Sequence, residues 1–223
     1  MGNNINLFIL ISFSFIVYFI ISYASKILKV QNVASAISIK NGLMLINIKH
    51  LIGIILFGII FYLMAPQYRT LLVIQEFPGL ILLLLFLFTV FTSAVLAAKS
   101  AKDKNIFQSE TIQLSINNKS LYFIIRIVFL FSYEFFFRGV LFFSLLEMHG
   151  LFIAITMTTL LYVLIHIFDT RTEIIGAIPF GIILCLFSYF THSIWMAFII
   201  HMTLSAVYEL SILKQLSHNI KLP

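Results

Sequence analysis

Long apolar runs, separated by short polar breaks, constrain this chain more than any other feature. They cover residues 7–23, 51–64 (opening near residue 44), 78–98, 121–146, 151–168, 174–190 and 194–213. A helix that crosses a bilayer needs about 20 mostly apolar residues. Backbone polar groups find no water inside a bilayer, so only helices and closed barrels span it. The apolar/polar alternation of barrel strands does not run through these segments. The sequence therefore predicts an all-α polytopic membrane bundle of about seven transmembrane helices. The fourth run is long enough to require a tilt. Composition agrees, with 61% hydrophobic and only 10% charged residues, against about 25% charged in a typical soluble domain. A soluble enzyme, a disordered chain and a nucleic-acid-binding domain are excluded.

Charge placement orients the bundle. Lys26, Lys29, Lys40 and Lys49 follow the first run or open the second, and Lys99, Lys102, Lys104 and Lys119 lie between the third and fourth. Arg171 lies between the fifth and sixth, and Lys214 and Lys221 follow the seventh. Seven crossings put all of these on one side and only Arg69 on the other. The positive-inside rule then predicts a multi-pass cell-membrane protein with its N-terminus outside and its C-terminus in the cytoplasm. The net charge of +6 reads as orientation and contact with anionic headgroups of the bilayer. Lysines follow the first run and none precedes it, the reverse of a cleavable signal, so that run is read as a transmembrane helix. Met1-Gly2 does not begin a myristoylation motif, because Asn6 stands where Ser or Thr is wanted. The single cysteine, Cys185, excludes an intrachain disulfide and a multi-cysteine metal site. The expected organisation is a three-span part (1–104), a cytosolic loop (105–120), a four-span core (121–213) and a cytosolic tail (214–223).

Ionisable residues are almost absent from the first three runs and concentrate in the last four. The fourth holds Glu134 and Arg138, with Arg126 nearer its cytosolic end. The fifth ends in Tyr162-Val-Leu-Ile-His166. The seventh holds His201, Ser205 and Glu209. Spacing of i, i+4 puts each set on one helix face, and charges at membrane depth mark functional sites unless they are merely paired. Glu134 and Arg138 fit an intrahelical ion pair that pins one helix to its neighbours. They equally fit a general base and the cation that positions it. His166 and His201 fit hydrogen-bonded packing residues or, with Glu134, a zinc set. Glutamate with histidine donors can also hydrolyse without metal. The residue types leave zinc or another divalent ion, or no cofactor, open. His50 and His149 at span ends, and His192 in a short outer turn, read as interfacial. Trp195 reads as an interfacial anchor, and Phe135-Phe136-Phe137 as lipid- or helix-packing surface.

This constellation resembles the CAAX protease and bacteriocin-processing group of intramembrane proteases, the Abi family, of type II CAAX endopeptidase kind. Its first motif, Glu-Glu-x-x-x-Arg followed by Gly, is matched by Tyr133-Glu134-Phe135-Phe136-Phe137-Arg138-Gly139. Its second, Phe-x-x-x-His, is matched by Tyr162-x-x-x-His166. Its third, His-x-x-x-Asn or Asp, is matched in part by His201-x-x-x-Ser205. Gly176 and Gly181 fit the Gly-bearing apolar span between the second and third motifs. The resemblance covers residues 121–213. It implies a helical bundle enclosing a wet cavity open to the cytosol, where glutamate and two histidines activate water to cut a peptide bond near the membrane surface. Two positions depart from the pattern. Tyr133 replaces the first glutamate, to which the resemblance assigns the water-activating role, so Glu134 takes that role here. Ser205 replaces the Asn or Asp.

The expected function is therefore intramembrane endopeptidase, of glutamic or metallo type. Glu134, Arg138, His166 and His201 form the catalytic set, supported by Tyr133, Tyr162, Ser205 and Glu173. Ser205 is expected to position His201. Glu173 has a plainer reading, a carboxylate at a helix N-terminus. The substrate would be a membrane-associated peptide or protein, with peptide processing or bacteriocin immunity as roles. The rivals are a catalytically inactive immunity or scaffold protein and a small proton-coupled carrier. Neither nucleic acid nor a soluble cofactor is indicated. A common site also requires tilt or a kink, because His166 falls near the cytosolic end of its span while Glu134 and His201 fall near mid-span.

Overall fold

The computed structural model describes the backbone of residues 2–74, 77–102 and 116–219, and the side chains of 6–74, 77–102 and 120–215. Every regular element among the described residues is helical. α1 (Gly2–Ile27) leads through the short α2 (Val33–Ile37) to α3 (Gly42–Gly53). α3 continues through a π-helical turn (Ile54–Ile59) into α4 (Ile60–Met64), and a 3-10 turn (Pro66–Leu72) follows. After α5 (Leu80–Lys102) comes α6 (Ile116–Glu134), which runs through a second π-helical turn (Phe135–Leu141) into α7 (Phe142–Ile165). A 3-10 turn (His166–Phe168), α8 (Arg171–Thr191) and α9 (Trp195–Asn219) complete the described chain.

Six helical stretches are long and apolar enough to cross a membrane. The longest, Ser120–Phe168, has 49 residues and would be about 74 Å long if straight, more than twice the ~30 Å of a hydrocarbon core. It reverses at Gly150, whose φ of 79° and ψ of 175° suit glycine and no helix. Arg138 and Tyr162, equidistant from Gly150 in the sequence, meet again, with the guanidinium 4.3 Å from the ring centroid. Counted as two, this stretch brings the candidate crossings among the described residues to seven, the number the apolar runs predict, in a multi-pass helical membrane protein.

Three boundaries differ from the expectation. α6 begins at Ile116, inside the segment expected as cytosolic loop, of which residues 103–115 lie outside the described residues. α9 runs to Asn219, so the expected tail extends the last helix, and residues 220–223 lie outside the described residues. α2 was not anticipated. Its cap is reciprocal: Asn32 Oδ1 accepts from the Ser35 N–H at 3.0 Å, and Ser35 Oγ accepts from the Asn32 N–H at 3.2 Å.

Residues 132–145, spanning the end of α6, the π-helical turn and the start of α7, are all buried. A helix apolar all round belongs in the middle of a bundle. Phe135, Phe136 and Phe137 accordingly face neighbouring helices and not lipid. Phe136 stacks on Phe57 with centroids 4.4 Å apart and meets Phe61 at 5.1 Å, and Tyr18 meets Phe57 at 4.7 Å. Lipid tails are as apolar as leucine, so close packing must hold these helices together; each such aromatic pair contributes about 0.5–1.5 kcal/mol. Glycine permits the closest approach: a Cβ at Gly58 would lie 2.5 Å from Ser132 Oγ, and one at Gly53 would overlap the Phe129 ring. The three N-terminal crossings thereby bring α3 and its π-helical turn directly against the central helix.

Candidate active site

Glu134 is the last residue of α6 before the second π-helical turn and, like Arg138 within that turn, is 0% exposed. Single π turns recur at functional sites, because one residue more per turn re-aims the side chains around it. Arg138 Nε lies 3.4 Å from Glu134 Oε2, the i, i+4 ion pair read from the sequence. No Arg138 nitrogen has a hydrogen-bond partner, and the guanidinium lies over the Tyr162 ring instead. α9 supplies the third group. His201 Nδ1 lies 2.5 Å from Glu134 Oε1. A carboxylate only accepts, so the imidazole proton sits on Nδ1 and Nε2 is left for other work.

His166 ends α7. Its Nδ1 donates to the Tyr162 carbonyl oxygen at 2.8 Å, which again leaves Nε2 uncommitted. The mismatch in depth is resolved by Tyr162, one turn earlier. Its ring centroid lies 4.6 Å from that of His166, 6.2 Å from that of His201 and 6.0 Å from that of Tyr133. α8 can approach Tyr162 because Gly181 has no side chain: a Cβ there would sit 3.3 Å from the tyrosine ring. Tyr133 packs on Phe137 at 4.5 Å and on His201 at 5.8 Å, and its buried hydroxyl has no hydrogen-bond partner. Glu134, Arg138, His201, Tyr133 and Tyr162 thus converge, with His166 at the margin.

Residues 115–207 match the family model for type II CAAX prenyl endopeptidase, Rce1-like. Over this stretch the chain is similar to that family. No curated protein and no solved structure matches it. The matched segment contains every residue of the converging set, and the family it resembles is one of proteases.

Two expected members of the site lie elsewhere. Ser205 does not touch His201 through a hydrogen bond; its hydroxyl accepts from Arg126 and donates to Glu209 Oε1 at 2.9 Å. The i, i+4 spacing holds, but the serine hydroxyl bonds within the Arg126–Glu209 cluster. Glu173 caps α8: its Oε2 accepts from the Thr170 N–H at 3.1 Å, while Thr170 Oγ1 accepts from the Glu173 N–H at 3.4 Å. That is a capping box, whose pattern Thr-x-x-Glu stands in the sequence. His50, read as interfacial, is buried, stacks on Phe129 at 4.7 Å and accepts from Arg126 through Nε2 at 3.2 Å. Neither Arg126 nor Glu209 was assigned a role from the sequence, although the i, i+8 spacing of His201 and Glu209 put them on one face.

The candidate metal set of Glu134, His166 and His201 is not brought together as one cluster. Among the described residues no three His, Cys, Asp or Glu are grouped to hold an ion. No step is therefore routed through a metal.

Proposed function

We propose that this chain is an intramembrane endopeptidase that hydrolyses a peptide bond in a membrane-associated peptide or protein. The observation that carries the reading is the buried Glu134–His201 hydrogen bond inside the family-matched segment. Oε1 is bonded to His201, Oε2 lies beside the Arg138 cation without a hydrogen bond, and the residue has no exposed surface, so Glu134 acts through the imidazole. It fixes the proton on Nδ1 and stabilises the imidazolium that forms, the role a carboxylate plays in hydrolase triads. His201 Nε2 takes a proton from water. The hydroxide oxygen bonds to the scissile carbonyl carbon, the carbonyl π electrons move to oxygen, and the tetrahedral species collapses with cleavage of the C–N bond. The proton on Nε2 passes to the departing amine nitrogen. Arg138 offsets the carboxylate's charge. The Tyr133 hydroxyl, buried and without a partner, is available to donate to the carbonyl oxygen as its charge grows. His166 Nε2 lines the approach. The lysine distribution supports a C-terminus and a site mouth on the cytosolic side.

The test is cleavage of a pooled peptide library by detergent-purified wild type, Glu134→Gln and His201→Ala, with and without a chelator. Cutting by wild type that is indifferent to chelation and lost in both folded variants is the expected result. Cutting that persists unchanged in both variants overturns the site.

A further inference from the structure

α6 and α9 run antiparallel and meet through two polar rungs. One is Glu134–His201. The other lies eight residues earlier on α6 and eight residues later on α9: Arg126 Nε donates to Glu209 Oε1 at 3.0 Å. The second rung is dense. Arg126 Nε and Nη2 both donate to Ser205 Oγ, at 3.2 and 3.0 Å, and Nη1 donates to His50 Nε2 on α3 at 3.2 Å. The guanidinium also sits 5.6 Å from the centroid of the Phe129 ring, on which His50 stacks. Eight residues of helix separate the rungs by about 12 Å. Glu209, Ser205 and His50 are all buried, and the Arg126 side chain is only 22% exposed.

The geometry points to Arg126 and Glu209 as positioning residues for the Glu134–His201 pair, a clamp that sets the register and tilt of α9 on α6. The inference rests on the protease reading only for its kinetic consequence. Between the rungs α6 and α9 carry mainly apolar residues. Neighbouring helices in lipid gain little from one apolar register over another, so polar contacts must choose it. One rung ties α9 to α6 only at His201, whereas two rungs two turns apart fix both its angle and its height on that helix. A slip of one turn would move His201 by about 5.4 Å, far beyond its 2.5 Å contact with Glu134. His50 extends the clamp to α3 and so ties the N-terminal crossings to it as well. A buried ion pair adds little net stability over apolar residues of similar volume, but it can specify one arrangement. The clamp therefore governs where His201 sits more than whether the bundle folds.

The test uses the full chain in detergent micelles with 15N-histidine labelling. The proton in the Glu134–His201 hydrogen bond gives a far-downfield imidazole resonance, assigned by its loss in His201→Gln. Arg126→Met, Arg126→Met/Glu209→Leu and the exchanged pair Arg126→Glu/Glu209→Arg are compared with wild type. Turnover is measured on whichever peptide of the pooled library wild type cuts fastest. The expected result is a folded, heat-resistant Arg126→Met/Glu209→Leu protein in which the resonance is broadened or lost. Its kcat should fall about 100-fold, the scale for an ångström of misplacement, with KM little changed. The exchanged pair should recover the resonance and part of the turnover. A resonance and kcat that stay at wild-type values in both Arg126→Met variants overturn the clamp. If wild type cuts no peptide, the protease reading fails by itself, and the resonance still decides the clamp.

Discussion

The pair Glu134 and Arg138 offers the sharpest quantitative test, because stability and chemistry respond to it differently. The two charges stand 3.4 Å apart with no exposed surface on either. At an effective dielectric near 20 their attraction is about 5 kcal/mol, largely offset by the cost of bringing both charges out of water. Removing one partner leaves the other buried and uncompensated, which costs about 3–5 kcal/mol. Glu134→Gln and Arg138→Met should each destabilise the fold by that amount, while Glu134→Gln/Arg138→Met should lose far less than the sum. The single tryptophan gives the readout: Trp195 Nε1 donates to the Leu72 carbonyl oxygen at 2.8 Å, so its fluorescence reports when the N-terminal end of α9 lets go. Unfolding in increasing SDS, followed by that signal, yields the three free energies. The neutral double variant, though stable, should cut peptides at least about 100-fold more slowly than wild type, the lower range for loss of acid–base machinery. Strictly additive destabilisation would mean the charges do not interact, and a double variant cutting at the wild-type rate would remove Glu134 from the chemistry.

Three further outcomes follow from individual contacts. Tyr133→Phe removes only a buried hydroxyl without a partner, so stability in the same SDS titration should hold or rise; peptide cleavage should fall about 100-fold if the hydroxyl serves the oxyanion. Glu173→Gln preserves the capping box, which accepts either residue, and should leave both cleavage and the unfolding midpoint unchanged; loss of cleavage would restore Glu173 to the site. Gly58→Leu drives a side chain into Ser132 and should cost about 1–3 kcal/mol by overpacking, read as an earlier SDS midpoint; an unshifted midpoint would show that α3 does not press on α6 there.

Much of this arrangement could be read from the chain because membranes impose a length. Runs of about 20 apolar residues admit one interpretation, and Gly150 falls in the break between the fourth and fifth of them. Glu134, Arg138 and His201 stood out because a charge inside such a run needs a reason. What the chain did not disclose was pairing. Ser205 follows His201 by one turn, yet its partners are Arg126 and Glu209, and His50 looked like a span-end residue until α6 brought Arg126 against it. Periodicity places a residue on a face of its own helix; it carries no information on which helix that face meets. The π-helical turn at Phe135–Leu141 adds to this, since nothing in Phe-Phe-Phe-Arg-Gly-Val-Leu announces an extra residue per turn, and the turn resets every face that follows it. In a soluble bundle, apolar stripes narrow the choice of partner faces. Here lipid accepts the same residues that a neighbouring helix does, so buried and lipid-facing positions look alike in the sequence. The few polar groups must then select the register among near-equivalent apolar packings. That is why the informative residues are the same ones whose partners were hardest to foresee: each rung between α6 and α9 joins residues more than 60 positions apart, and only the assembled bundle brings them within reach.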